Sequence, residues 1–121
     1  MKFEQENDKP DLKDRTKEFS INAIHLFKSM SKDTISQVVG KQLLRSATSV
    51  GANTRSAYRG RSSKEFVAKI GIVVEEADES CFWLEIIDEA SLSENTMKVK
   101  ELLKEANELT AIFNSIRGKY K

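Results

Sequence analysis

FVAKIGIVVEEADESCFWLEII, Phe66 to Ile87, is the stretch whose period decides the fold. Its residues Phe66, Ile70, Val73, Ala77, Ser80, Leu84 and Ile87 recur at alternating intervals of four and three. A helix turns once in about 3.6 residues, so this spacing puts all of them on one face; a strand would need alternation with period two. Ser62-Ser63-Lys64-Glu65 stands just before the stretch. A serine hydroxyl that accepts from the amide three residues on, with a glutamate reaching back, is a capping box, and it predicts a helix over about residues 63–90.

The same alternation continues on both sides. Upstream, Val39, Leu43, Ser46, Val50, Asn53 and Ala57 predict a helix over about 34–59. It stops at Arg59-Gly60-Arg61, where glycine can take the left-handed conformation at little cost. Gly51, amid Ser46, Ala47, Ser49 and Ala52, predicts a close approach of another helix, because glycine inside a helix otherwise costs about 1 kcal/mol relative to alanine. Earlier still, Leu12, Thr16, Phe19, Ala23, Leu26 and Met30 predict a helix over about 11–30, capped by Asp11. Pro10 ends whatever precedes it, and residues 1–10 read as a flexible polar arm. Downstream, a second Ser-x-x-Glu, Ser91 to Glu94, predicts the start of a helix over about 93–117 with the seam Val99, Leu102, Ala106, Leu109, Phe113 and Ile116. Four amphipathic helices joined by short turns predict an all-α, antiparallel up-and-down four-helix bundle over 11–118.

Composition agrees. A chain of 121 residues, 39% hydrophobic and 32% charged, is one globular domain. No apolar run is long enough to span a membrane, so no membrane partner is expected. Met1 to Pro10 has no apolar core and does not read as a secretory signal. Cys81 is the single cysteine, which excludes an internal disulfide and points to a reducing cytoplasm. The net charge is +1, yet its distribution is uneven. Residues 36–70 carry seven cations against Glu65, and residues 75–94 carry eight acids and no cation.

The uneven charge resolves into faces. Counted from Lys41 at about 100° per residue, Arg45 falls about 40° to one side, Arg55 about 40° to the other and Arg59 in line, while the seam of that helix clusters at about 180°. These cations form a stripe about 27 Å long at about 1.5 Å per residue. Arg61 and Lys64 continue it past the turn. Lys41, Arg45, Arg55, Arg59, Arg61 and Lys64 are therefore candidate nucleic-acid-binding residues, since a row of cations neutralises phosphates and releases counterions without reading bases. The alternative is a protein-protein assembly or adaptor module whose basic ridge meets acidic surfaces and which binds no nucleic acid.

On the helix from 63 to 90, Ile72, Phe82, Trp83 and Ile86 fall on the side away from the seam, among Glu75, Glu76, Glu79 and Glu89. Apolar residues on both sides of one helix predict two buried faces, so these four are candidate oligomer-interface residues with a charged rim. Nothing specifies a reaction. His25 is the only histidine and has no cysteine or second histidine to complete a metal set, so no metal or other cofactor is expected. Cys81 lies beside the seam without a base, so no catalytic residue is assigned and no enzyme is expected.

Three runs carry a family resemblance: Gln42-Leu-Leu-Arg-Ser-Ala-Thr-Ser-Val-Gly-Ala-Asn53, Arg61-Ser-Ser-Lys-Glu-Phe66 and Glu76-Ala-Asp-Glu-Ser-Cys-Phe-Trp-Leu-Glu85. The chain resembles the four-helix bundle proteins encoded in intervening sequences of bacterial 23S ribosomal RNA, also labelled a ribosomal protein family. Where many relatives continue with Ile-Ala-Glu-Gly, this chain has Thr54-Arg-Ser-Ala-Tyr-Arg-Gly60, which replaces an acid by bases. The resemblance implies a homopentameric ring without established enzymatic activity. It also implies kinship with the accessory variability protein of diversity-generating retroelements, a basic bundle that binds nucleic acid and a reverse transcriptase. The positions it covers include Arg45, Asn53, Phe66 and Trp83; we place Asn53 in a hydrogen bond inside the bundle.

Overall fold

A computed structural model describes residues 11–120; the arm expected over residues 1–10 lies outside the described residues. Four helices follow one another: α1 (Leu12–Ser29), α2 (Thr34–Tyr58), α3 (Ser63–Glu89) and α4 (Thr96–Lys119). No strand occurs among the described residues. Packing runs α1 on α2, α2 on α3, α3 on α4, and the ring of neighbours closes, most sparsely, between α1 and α4. The molecule is an all-α four-helix bundle. Its two diagonals, α1 with α3 and α2 with α4, bring no Cα atoms within 8 Å of one another.

The seams behave as their spacing demands. Phe66, Ile70, Val73, Ala77, Ser80, Leu84 and Ile87 are all buried, and they meet Leu43, Val50 and Ala57 of α2 together with Phe19 and Leu26 of α1 and Leu109 and Phe113 of α4 in one core. Two polar seam residues satisfy each other. Ser46 Oγ and Ser80 Oγ lie 2.8 Å apart where α2 meets α3, so neither hydroxyl is left unpaired in the core. Asn53 is half-buried. Its Nδ2 donates to Ser49 O at 3.0 Å and Ser49 Oγ at 2.8 Å, along its own helix and not across the bundle. The buried polar residue of that turn is Thr54, whose hydroxyl returns to Val50 O at 2.8 Å.

Side-chain caps start every helix. Asp11, Asp33, Ser62 and Asn95 accept from Lys13 N, Ser36 N, Glu65 N and Lys98 N respectively. The last corrects the reading of Ser91 to Glu94. Ser91 does not open α4; with φ 56° it is the left-handed residue that closes α3. Its amide donates to Asp88 O at 3.2 Å and that of Leu92 to Ile87 O at 2.9 Å, the paired bonds of a Schellman motif. α4 therefore begins three residues later than expected, at Thr96. Gly60 gives the opposite correction: among the described residues no glycine has a positive φ. Its amide donates to Ala57 O at 3.0 Å, and a Cβ there would stand 3.0 Å from the same oxygen. Close approach, not handedness, selects glycine.

Gly51 marks the tight crossing that its composition suggested, and the partner is α1 of the same chain. A Cβ on Gly51 would come within 2.7 Å of Ser20 Oγ and 3.3 Å of Thr16 O. That proximity lets Ser20 Oγ donate to Ala47 O at 2.8 Å, a hydrogen bond from one helix to the next. The sparse α1–α4 seam is held differently. Arg15 Nε and Nη2 each donate to a Glu105 oxygen at 2.7 Å, and Nη2 also reaches Glu108 at 3.0 Å. A groove of about 580 Å³ lies there over Phe19 and Leu102. No described helix is long and apolar enough to cross a membrane.

Candidate nucleic-acid interface

The cationic residues of α2 divide into two groups. Lys41, Arg55 and Arg59 are exposed on the side of the helix away from Leu43 and Val50, and Arg61 and Lys64 are exposed where the chain turns into α3. None of the five enters an ion pair among the described residues. The turn that carries Arg59, Arg61 and Lys64 is seated on an aromatic stack. Tyr58 and Phe66 meet edge to face at 5.4 Å, and Phe66 and Tyr120 at 5.1 Å. Burial pushes the Tyr58 hydroxyl up to about 12. The capping box forms beneath the same turn, with Ser62 Oγ accepting from Glu65 N at 3.1 Å. Glu65 accepts from the amide of Arg61 at 3.2 Å, one residue further back than the expected pattern.

Arg45 is set apart from the other five by its ion pairs. Its Nη1 and Nη2 donate to the two oxygens of Glu76 at 3.1 and 3.2 Å, and Nη2 also meets Glu79. Its offset of about 40° from the line of Lys41 inclines it toward the flank of α2 that packs on α3, and both carboxylates stand on that flank. The network extends in both directions. Ser49 Oγ donates to Glu76 at 3.1 Å, and the indole N–H of Trp83 donates to Glu79 at 3.0 Å. The Trp83 indole, then the Arg45 guanidinium, hold the Glu79 carboxyl below the usual carboxylate range, while Glu76 and Glu79 hold the Arg45 guanidinium above its ordinary value. A guanidinium already bound to two carboxylates is poorly placed to take a phosphate.

This network makes a pH-dependent contribution to stability. A carboxyl whose folded value is depressed stabilises the fold once the pH exceeds its unfolded value, about 4.3, and stops doing so as the pH falls through the folded value. Arg45→Met is accordingly expected to lower stability at pH 7 by on the order of 1 kcal/mol, given the exposure of the guanidinium. At pH 3 the gap between variant and wild type should shrink, as urea denaturation at the two pH values would register. An equal deficit at both would assign the loss to packing.

The apolar face of α3 is partly committed. Ile72 and Phe82 are exposed, Phe82 by 50%, whereas Trp83 and Ile86 are half-buried and Trp83 packs on the core. Phe82 and Trp83 meet edge to face at 4.8 Å. Other exposed apolar residues escape the reading from sequence, among them Ile35 and Val38 on α2, 65% and 57% exposed, and Ile24 on α1. Ile35 and Val38 lie about 120° and about 60° round from Lys41, to the same side as Arg45 and so on the α3 side of the ridge. Their intervals from that seam do not mark them, and only the packing of α2 on α3 shows which flank they share.

Among the described residues no three of histidine, cysteine, aspartate and glutamate come together as a metal site. Cys81 is buried between α3 and α4, its Sγ 3.5 Å from Asn107 Oδ1, and burial pushes its thiol up, away from the reactive thiolate. His25 is exposed on α1.

Comparison with known proteins agrees with this architecture. The family model described as 23S rRNA-intervening sequence protein matches residues 9–115. The bundle is similar to the crystal structure of a protein of unknown function from the S23 ribosomal protein family of Bacteroides thetaiotaomicron VPI-5482. The two share 30% sequence identity with a TM-score of 0.80, over 88% of this chain and 98% of that one. No curated protein matches the chain. With the fold shared and the family model matching residues 9–115, the chain belongs to the 23S rRNA-intervening sequence protein family.

Proposed function

We propose that this chain is a non-catalytic, homo-oligomeric bundle, a pentameric ring as the resemblance implies, that binds RNA or DNA without reading base sequence. Its binding surface consists of Lys41 and Arg55 on α2, Arg59 at the C-cap of α2, Arg61 in the turn and Lys64 at the start of α3. The observation that supports this most is that these five cations are exposed and outside any ion pair among the described residues, whereas Arg45 beside them is neutralised. Unpaired cations aligned along one helix meet successive phosphates, and the affinity comes from counterions released into solution. The contacts of Phe66 with Tyr58 and Tyr120 fix the start of α3 against the ends of α2 and α4, which steadies the backbone between Arg59 and Lys64.

The test is fluorescence anisotropy at low salt with three labelled probes: a structured fragment of ribosomal RNA, an unrelated RNA hairpin and a duplex DNA of arbitrary sequence. Comparable micromolar affinities for all three are the expected result. No binding to any of them at low salt would overturn the proposal and leave the basic surface to a protein partner.

A further inference from the structure

Two outward faces that the binding surface does not use match each other residue for residue. On α1, Lys13, Lys17, Ile21, Ile24 and Lys28 follow one another at intervals of four, four, three and four. Counted round the helix from Phe19, they lie between about 120° and about 200°, away from the core. On α3, Glu75, Glu79, Phe82, Ile86 and Glu89 follow at four, three, four and three, between about 140° and about 220° round from Phe66. Every one of the ten is exposed or half-buried. Lys13, Lys17, Lys28, Glu75 and Glu89 enter no ion pair among the described residues.

We infer that α1 of one copy docks along α3 of the next, parallel and in a single register: Lys13 on Glu75, Lys17 on Glu79, Ile21 on Phe82, Ile24 on Ile86 and Lys28 on Glu89. This rests on the reading of the chain as a homo-oligomer and names the surfaces that build it. The numbers of the paired residues differ by 61 or 62 throughout, so both stripes stay in step over four turns. A stripe repeating at four and three is the seam of a coiled coil, with apolar residues in the middle and opposite charges at the rim. The occupant is a second copy because the complement is complete within this chain: three lysines face three glutamates, and two isoleucines face Phe82 and Ile86. Glu79 already holds Arg45 and Trp83, and its remaining lone pairs are available to Lys17.

The geometry of the bundle gives this contact a consequence. Within one chain α1 and α3 are diagonal corners, facing each other only across the core. A contact between two different faces repeats from copy to copy, and it closes as a ring if the rotation allows. With both diagonal corners occupied, every α2 lies on one wall of the assembly and every α4 on the other. The cations of successive copies then form one basic wall.

Charge exchange tests the register. Lys13→Glu with Lys28→Glu makes both faces acidic, and Glu75→Lys with Glu89→Lys makes both basic; each variant alone is expected to lose the oligomer peak in light-scattering chromatography while its circular dichroism stays that of the wild type. The quadruple variant, in which the charges are exchanged and not lost, is expected to recover it. If Lys13→Glu disturbs the cap of α1, the Lys28 and Glu89 exchanges alone give the same reading. Either double variant keeping the wild-type mass, or a folded quadruple variant remaining dissociated, would overturn this contact. A wild-type chain that is monomeric throughout would overturn the homo-oligomer reading itself, and the contact with it.

Discussion

Arg55→Glu combined with Arg59→Glu is expected to lower affinity for a structured RNA by about 100- to 1000-fold. Each exposed cation near a phosphate is worth on the order of 1 kcal/mol, and reversal replaces that attraction by a repulsion of similar size. Two reversals therefore remove about 4 kcal/mol, and each 1.4 kcal/mol is a factor of ten. Both residues are exposed on the outer side of α2, so circular dichroism and the unfolding midpoint should stay close to wild type. Arg45→Met supplies the contrast. Its guanidinium is held by Glu76 and Glu79, so this variant should bind RNA as the wild type does while losing stability. A shared loss of affinity in both variants would place Arg45 back in the ridge.

Phe66→Ala has the largest expected effect on stability, a loss of about 3–5 kcal/mol, because it removes a fully buried ring and leaves a cavity. That is a large share of the roughly 5–15 kcal/mol that holds a domain of this size. Phe66 packs between Tyr58 and Tyr120 and fixes the start of α3 to the end of α2 and α4. Urea denaturation measures the loss. A second reading comes from Tyr58, whose hydroxyl burial raises to about 12; water admitted by the cavity should bring it back toward the ordinary value near 10. A spectrophotometric titration in which Tyr58 does not move would mean that the neighbouring side chains have collapsed into the space.

The difference between these two sites shows which physical information a linear chain exposes. Phe66, Ile70, Val73 and Leu84 are legible because burial of one helix face imposes a period on neighbouring residues, and a period is local. The caps Asp11 and Ser62 are legible for the same reason, since each closes over two or three residues. Ser91 misleads because the same Ser-x-x-Glu pattern suits a residue that begins a helix, and only the chain's need to leave α3 through a left-handed residue gives it the other role. The angle of Arg45 from its own core says nothing about the neighbour on that flank. Glu76 and Glu79 are more than thirty residues away, as Glu105 is ninety residues from Arg15. Such pairs follow from the order of the helices around the bundle. The exposed Ile35 and Val38 are hidden from the sequence for the same reason.

We propose that the cations of α2 and its turn, without Arg45, neutralise nucleic-acid phosphates. It is tested most directly by the salt dependence of RNA affinity in three proteins: wild type, Arg45→Met, and Arg55→Gln with Arg59→Gln. The logarithm of affinity falls with the logarithm of salt by about 0.7 to 0.9 for each phosphate neutralised, so the double variant should show a slope shallower by roughly 1.4 to 1.8 for each subunit engaged, while Arg45→Met matches the wild type. Three equal slopes, or a slope lowered by Arg45→Met alone, would contradict it.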